Sequence, residues 1–185
     1  MDSKAFISKS VGLGFGAGCL FFLGEPTPCS AQDTASTPSD KKVEFMHGWV
    51  QRLMENMDAQ LDEETRLKLM ESCGRACCRQ SWGERSASGP QPGDLEKLLA
   101  RLKGFAGEDS IDRKGNTIRF TSTRGGRCLC PLVQSAPQEI SATYCHCSTG
   151  YVKEMFERAV GKTVDVQLLE SVKRGGTQCT WSIQV

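Results

Sequence analysis

The sequence predicts an α/β chain of the α+β type, with helices in its first half and near residue 150 and strands arriving as two hairpins. Three observations carry this reading. Val43, Met46, Val50, Leu53, Met54 and Met57 recur at helical spacing, so residues 41 to 59 form an amphipathic helix. Lys114-Gly115-Asn116 turns one strand pair, residues 109 to 113 and 117 to 122, with Ile118 and Phe120 on one side. Val164, Val166 and Leu168 alternate toward Arg174-Gly175-Gly176, and Cys179, Trp181, Ile183 and Val185 alternate back. With 185 residues and 38% apolar content the chain has the size and core-forming capacity of one domain.

The amino terminus reads as an export signal. Lys4 and Lys9 precede Val11 to Gly24, an uncharged and mostly apolar run that Glu25-Pro26 ends. It is too short to span a bilayer comfortably, and small residues at Cys29, Ser30 and Ala31 suit cleavage before Gln32. Residues 1–31 are therefore expected to be a signal peptide, 32–40 a polar disordered tether, and 41–185 the folded domain, periplasmic or extracellular, with no membrane span once the signal is removed. Ala17-Gly18-Cys19 loosely resembles a lipobox, but Gly16 stands where Leu is expected, so general export is preferred to lipidation. The 23 Lys plus Arg nearly balance 22 Asp plus Glu, which argues against nucleic acid or an anionic surface as partner.

The remaining elements follow from local signals. Asp62 is expected to cap a second helix carrying Leu67, Leu69, Met70, Cys73 and Cys77, the two cysteines sharing a face. Residues 81 to 93 read as loop, and Asp94 opens a third helix lined by Leu95, Leu98, Leu99 and Leu102. Arg127 to Val133 reads as an extended segment ended near Pro131, and 134 to 143 as loop. Ser148 is expected to cap a helix that Gly161 stops. In the closing hairpin a two-residue turn pairs Val166 with Ile183, Leu168 with Trp181 and Glu170 with Cys179, aiming a carboxylate inward beside a thiol.

Cysteine supplies the functional signal. Of ten, Cys19 and Cys29 fall in the signal, and seven of the other eight crowd into Cys73-Gly-Arg-Ala-Cys77-Cys78, Cys128/Cys130 and Cys145/Cys147. Disulfide staples in an oxidising compartment are one reading, but bridges between such close neighbours are strained. In an extended segment Cys128 and Cys130 point the same way, and Cys145 and Cys147 stand where a helix amino terminus favours thiolate. These four are the expected metal ligands, for zinc first, with copper(I) or an iron–sulfur centre as alternatives. Cys73, Cys77 and Cys179 are expected to line a ligand pocket, with Glu170 as catalytic proton carrier if the chain is an enzyme. His146 is a more credible ligand or base than His47, which reads as a packing or surface residue.

The runs Cys128-Leu-Cys-Pro-Leu-Val, Tyr144-Cys-His-Cys-Ser-Thr-Gly-Tyr and Val166-Gln-Leu-Leu-Glu through Gln178-Cys-Thr-Trp-Ser-Ile resemble a bacterial cysteine-rich family that includes L-2-aminothiazoline-4-carboxylate hydrolase-like proteins. The closing hairpin also resembles vinyl-reductase ligand-binding domains and the related trafficking-subunit fold. These resemblances imply an antiparallel sheet packed against helices. They imply binding of a metal ion or small molecule through cysteines, or hydrolysis of a small sulfur heterocycle, and they point to no protein partner.

Overall fold

Two hairpins merge into one antiparallel sheet in the order β1-β2-β4-β3, formed by β1 (Ile111–Lys114), β2 (Thr117–Ser122), β3 (Asp165–Glu170) and β4 (Cys179–Gln184). The computed structural model describes residues 38–83, 93–122, 128, 130, 133 and 140–185. The expected signal peptide and residues 32–37 of the tether lie outside them. Four helices accompany the sheet among the described residues: α1 (Pro38–Gln60), α2 (Glu63–Gly83), α3 (Leu95–Ala106) and α4 (His146–Val160). None of the described helices is long and apolar enough to cross a membrane.

Strand alternation turns Ile118, Phe120, Val166, Trp181 and Ile183 toward Leu98, Leu99 and Leu102 of α3 and Val152, Met155, Phe156 and Ala159 of α4, and together they form the main core. Phe120 and Trp181, partners across β2 and β4, stack with ring centroids 5.4 Å apart. The expected antiparallel sheet packed against helices is therefore what the chain forms. A smaller apolar cluster of Met54, Met70, Val133 and Ile140 joins α1 and α2 to the chain around residues 128 to 144.

Several local expectations are corrected. Pro38–Asp40, assigned to the tether, form the first turn of α1. On that helix only Met54 of the predicted apolar stripe is buried, together with His47, whereas Val43, Met46 and Leu53 stay exposed beside Phe45 and Trp49. The helix is rotated so that its inward face runs through His47 and Met54. Asp62 does cap α2, accepting from the Thr65 amide at 2.9 Å. Asp94 makes no capping bond and pairs instead with Lys97 at 2.8 Å. α2 runs on to Gly83, three residues into the expected loop, whose residues 84–92 lie outside the described ones.

The closing hairpin departs more. Val166 faces Ile183 and Leu168 faces Trp181 as expected, but a bulge at Leu169 sets Glu170 opposite Thr180 instead of Cys179. The turn is not two residues. A 3-10 turn at Val172–Arg174 and a left-handed Gly175 (φ 86°) lengthen it. The Glu170 carboxylate closes this loop, accepting from the Thr177 amide at 2.8 Å and the Gln178 amide at 3.3 Å.

One glycine provides a calibration. Gly104 lies inside α3 with open space where a Cβ would stand. Gly104→Ala should stabilise the fold by about 0.5–1 kcal/mol through helix propensity alone, read as a raised midpoint in urea.

Candidate thiol site

The site is set by how closely α2 and α4 meet. A methyl group at Gly74 would strike the Cys147 carbonyl, and one at Gly150 would strike the Glu71 carbonyl, so each helix offers a glycine to the other's backbone. Ionic contacts flank the seam. Arg75 reaches Glu157 with both terminal nitrogens, at 2.6 and 3.0 Å, and Glu154 at 3.2 Å, while Lys153 pairs with Glu71 at 3.0 Å. This seam brings Cys73 and Cys77 of α2 next to Cys147.

The other thiols arrive from three directions. Cys145 caps α4, preceded by a 3-10 turn over Ala142–Cys145, and Cys147 lies in the helix's first turn. Ser148, the expected cap, sits one turn in and donates from its hydroxyl to the Cys145 carbonyl at 2.6 Å. The preceding turn is anchored beside the α1–α2 connection: Asp58 accepts from the Thr143 hydroxyl at 2.7 Å and from Arg66 at 2.9 Å. Burial opposes ionisation of Asp58, but bonds from Ser141, Thr143 and Arg66 hold its carboxyl below the ordinary range.

The predicted extended clamp of Cys128 and Cys130 falls mostly on residues outside the described ones. Both lie outside regular elements, and the chain coils just after them, with the Val133 amide donating to the Cys130 carbonyl at 3.0 Å; the rest of 127–133 falls outside the described residues. Their sulfurs serve different groups. Cys130 meets the Tyr144 hydroxyl at 3.4 Å and interacts with Cys147, whereas Cys128 interacts with Cys145 and Cys179. Cys145 in turn accepts from the Ser171 hydroxyl at 3.3 Å.

The grouping read from spacing, Cys128/Cys130/Cys145/Cys147 apart from Cys73/Cys77/Cys179, is thus redrawn. One group is Cys73, Cys77, Cys130 and Cys147 around Tyr144; the other is Cys128, Cys145 and Cys179 around Ser171. The Cys128–Cys130 link joins them into a ribbon. All eight described cysteines are unbridged; Cys78 is buried in the main core, Cys179 packs at its edge, and Cys128, Cys130 and Cys147 pack against the smaller cluster. Among the described residues no three His, Cys, Asp or Glu side chains are arranged to hold a metal ion. Sequence spacing missed Tyr144 and Ser171, whose hydroxyls reach the thiols only through the fold.

Burial overrides the helix terminus in setting thiol chemistry. It pushes the Cys147 thiol up to about 12, with Cys130, Cys77 and Cys73 adding repulsion, and raises Cys145 and Cys128 as well, despite opposing help from Ser171 for Cys145. The expected low-pKa thiolates are instead neutral thiols. Cys179 is likewise raised by burial, against a backbone bond from Val172. His146 is lowered, by burial first and then by Arg174.

Groups whose acid form is favoured on folding contribute stability below their unfolded pKa and lose it as pH rises through the folded value. The melting temperature should therefore fall steeply between about pH 9 and pH 12. Cys147→Ser, which cannot ionise there, should flatten that slope; an unchanged slope would mean that other groups cause it.

The Glu170 side chain, proposed as a proton carrier, stands at the far end of the ribbon near Cys179 and holds the loop amides. Those bonds, Thr177 first, keep its carboxyl below the ordinary range.

The chain belongs to the family described as "Family of unknown function (DUF6144)", which matches residues 31–185. No curated protein matches the chain. Among solved structures, the phenol-responsive sensory domain of the transcription activator PoxR, determined with phenol, is similar over 77% of this chain and 73% of that one, with 15% identity and a TM-score of 0.42. A likeness that remote says nothing about what this chain binds.

Proposed function

We propose that this domain binds a small soft ligand, a thiophilic metal ion first, through its ribbon of thiols. The observation that supports this is that seven of the eight described cysteines lie outside the main core's buried set and meet across four parts of the chain. A fold that needed them only for packing would treat them as it treats Cys78. The donor set is soft, which suits zinc or copper(I), and an iron–sulfur centre is the further alternative. The ribbon is not a ready-made cage, so binding would draw thiols together and release their protons, making affinity rise with pH. The thiazoline-hydrolase reading is the weaker one, because it needs a carboxylate free to move a proton and Glu170 is tied to two amides.

The test is zinc and copper(I) titration of the reduced protein, with a thiol count before and after. We expect about one ion per chain, protection of thiols on loading, and sharp loss of binding in Cys130→Ser and Cys147→Ser. Unchanged stoichiometry and affinity in both variants would remove the metal reading. Reactive thiols that take no metal would direct the search to an organic ligand, and protein isolated without reactive thiols would indicate disulfide staples.

A further inference from the structure

We propose a second binding site, a groove between α2, the start of α4 and the outer strand β3, for a small uncharged molecule with an apolar face and a hydrogen-bonding edge. The cavity measures about 300 Å³, the small end of ligand sites, which fits a molecule of about one ring. Leu67, Val166 and Leu168 give it apolar surface, and Glu71, His146, Thr149 and Gln167 give it polar groups.

Three features point to a ligand. First, among the described residues β3 pairs only with β4, so no further described strand covers this side. Second, three polar side chains at the groove are uncommitted among the described residues, the first being Thr149, which is buried with its Oγ1 hydroxyl unpartnered. The half-buried His146 imidazole and the exposed Gln167 amide make no hydrogen bond among the described residues, and each offers a donor and an acceptor. Third, the one carboxylate in the lining, Glu71, is already paired. Its Oε1 takes Lys153 at 3.0 Å and Arg75 at 3.3 Å, so the carboxylate is not free to hold a cationic ligand.

This site does not rest on the thiol reading. Successive residues at a helix start point about 100° apart. Cys145 accordingly joins the group on β4, Cys147 the group on α2, and His146 between them lines the groove.

Benzamide, an aromatic ring with an amide edge, is a suitable probe, followed by NMR of the His146 ring and the Leu67 and Leu168 methyls. We expect saturable shifts at these residues, at least tenfold weaker binding in His146→Ala, and loss of the shifts in Gln167→Trp, whose indole would fill the groove from an exposed position. Thermal melting of both variants separates lost binding from lost folding, and Gln167→Trp should melt like the parent. No saturable shift up to the solubility limit of benzamide, or shifts that persist in the folded Gln167→Trp protein, would overturn the proposal. Metal uptake plays no part in the readout, so the two sites can fail separately.

Discussion

Gly150→Ala should destabilise this domain by about 3 kcal/mol or more, lowering the melting temperature by about 6–12 °C for a chain of this size. The expected sign is opposite to that at Gly104, although both glycines are helical. At Gly104 the new methyl group meets open space and only helix propensity acts. At Gly150 it meets the Glu71 carbonyl carbon at 2.6 Å and its Cα at 2.7 Å, atoms of a neighbouring helix that cannot rotate aside. α2 and α4 would have to separate, and the apolar contacts and ion pairs along their seam would lengthen together. Gly74→Ala should act in the same direction, since its methyl group would meet the Tyr151 amide nitrogen at 2.8 Å. A second readout links the seam to the site. Separating the helices should open the group that contains Cys147, so its alkylation by a thiol reagent should speed up under conditions where the variant is still folded. A variant as stable as the parent would mean that the helices are not held at this distance.

Much of the scaffold was legible because it follows from periodicity. The alternation of Ile118 and Phe120, of Val166 and Leu168, and of Trp181 and Ile183 fixed three strands and their inward face. The leucines of α3 were legible for the same reason. What could not be read is what depends on contacts distant in sequence. The α1 stripe was apolar enough to predict a buried face, yet its rotation is chosen by partners on α2 and near residue 140. The Glu170 register failed because a loop closed by carboxylate-to-amide bonds competes with a two-residue turn, and glycines at 175 and 176 suit both. The thiol cluster was visible as a set of residues but not as an arrangement. Spacing places Cys128 and Cys130 side by side, whereas the neighbours they meet, Cys145 and Cys179 for one and Tyr144 and Cys147 for the other, come from distant parts of the chain. The helix-terminus argument for thiolates likewise omitted burial, which is larger and of opposite sign.

Arg75→Ala should cost about 2–4 kcal/mol at neutral pH, because it strips the cation from carboxylates that are mostly shielded from water. Side-chain exposure is 23% for Arg75, 13% for Glu154 and 18% for Glu157, so solvent screens this network far less than a surface pair. The pH dependence identifies the cause. Bonding to Arg75 holds the Glu157 carboxyl below its ordinary value, with the Val164 amide and Lys153 assisting against burial. A depressed carboxyl contributes stability above its unfolded pKa and loses it as pH falls through the folded value. The parent should therefore weaken below about pH 4.5. In the variant Glu157 faces Glu154 without its main partner, so protonation relieves repulsion instead of breaking a bond. The gap between parent and variant, measured by urea unfolding, should shrink as pH is lowered from 7 to 4. Arg75→Lys keeps the charge but not the two-pronged contact, and should fall between them. A gap that stays constant with pH would assign the loss to packing of the guanidinium stem, leaving the helix seam held by its glycines and apolar contacts alone.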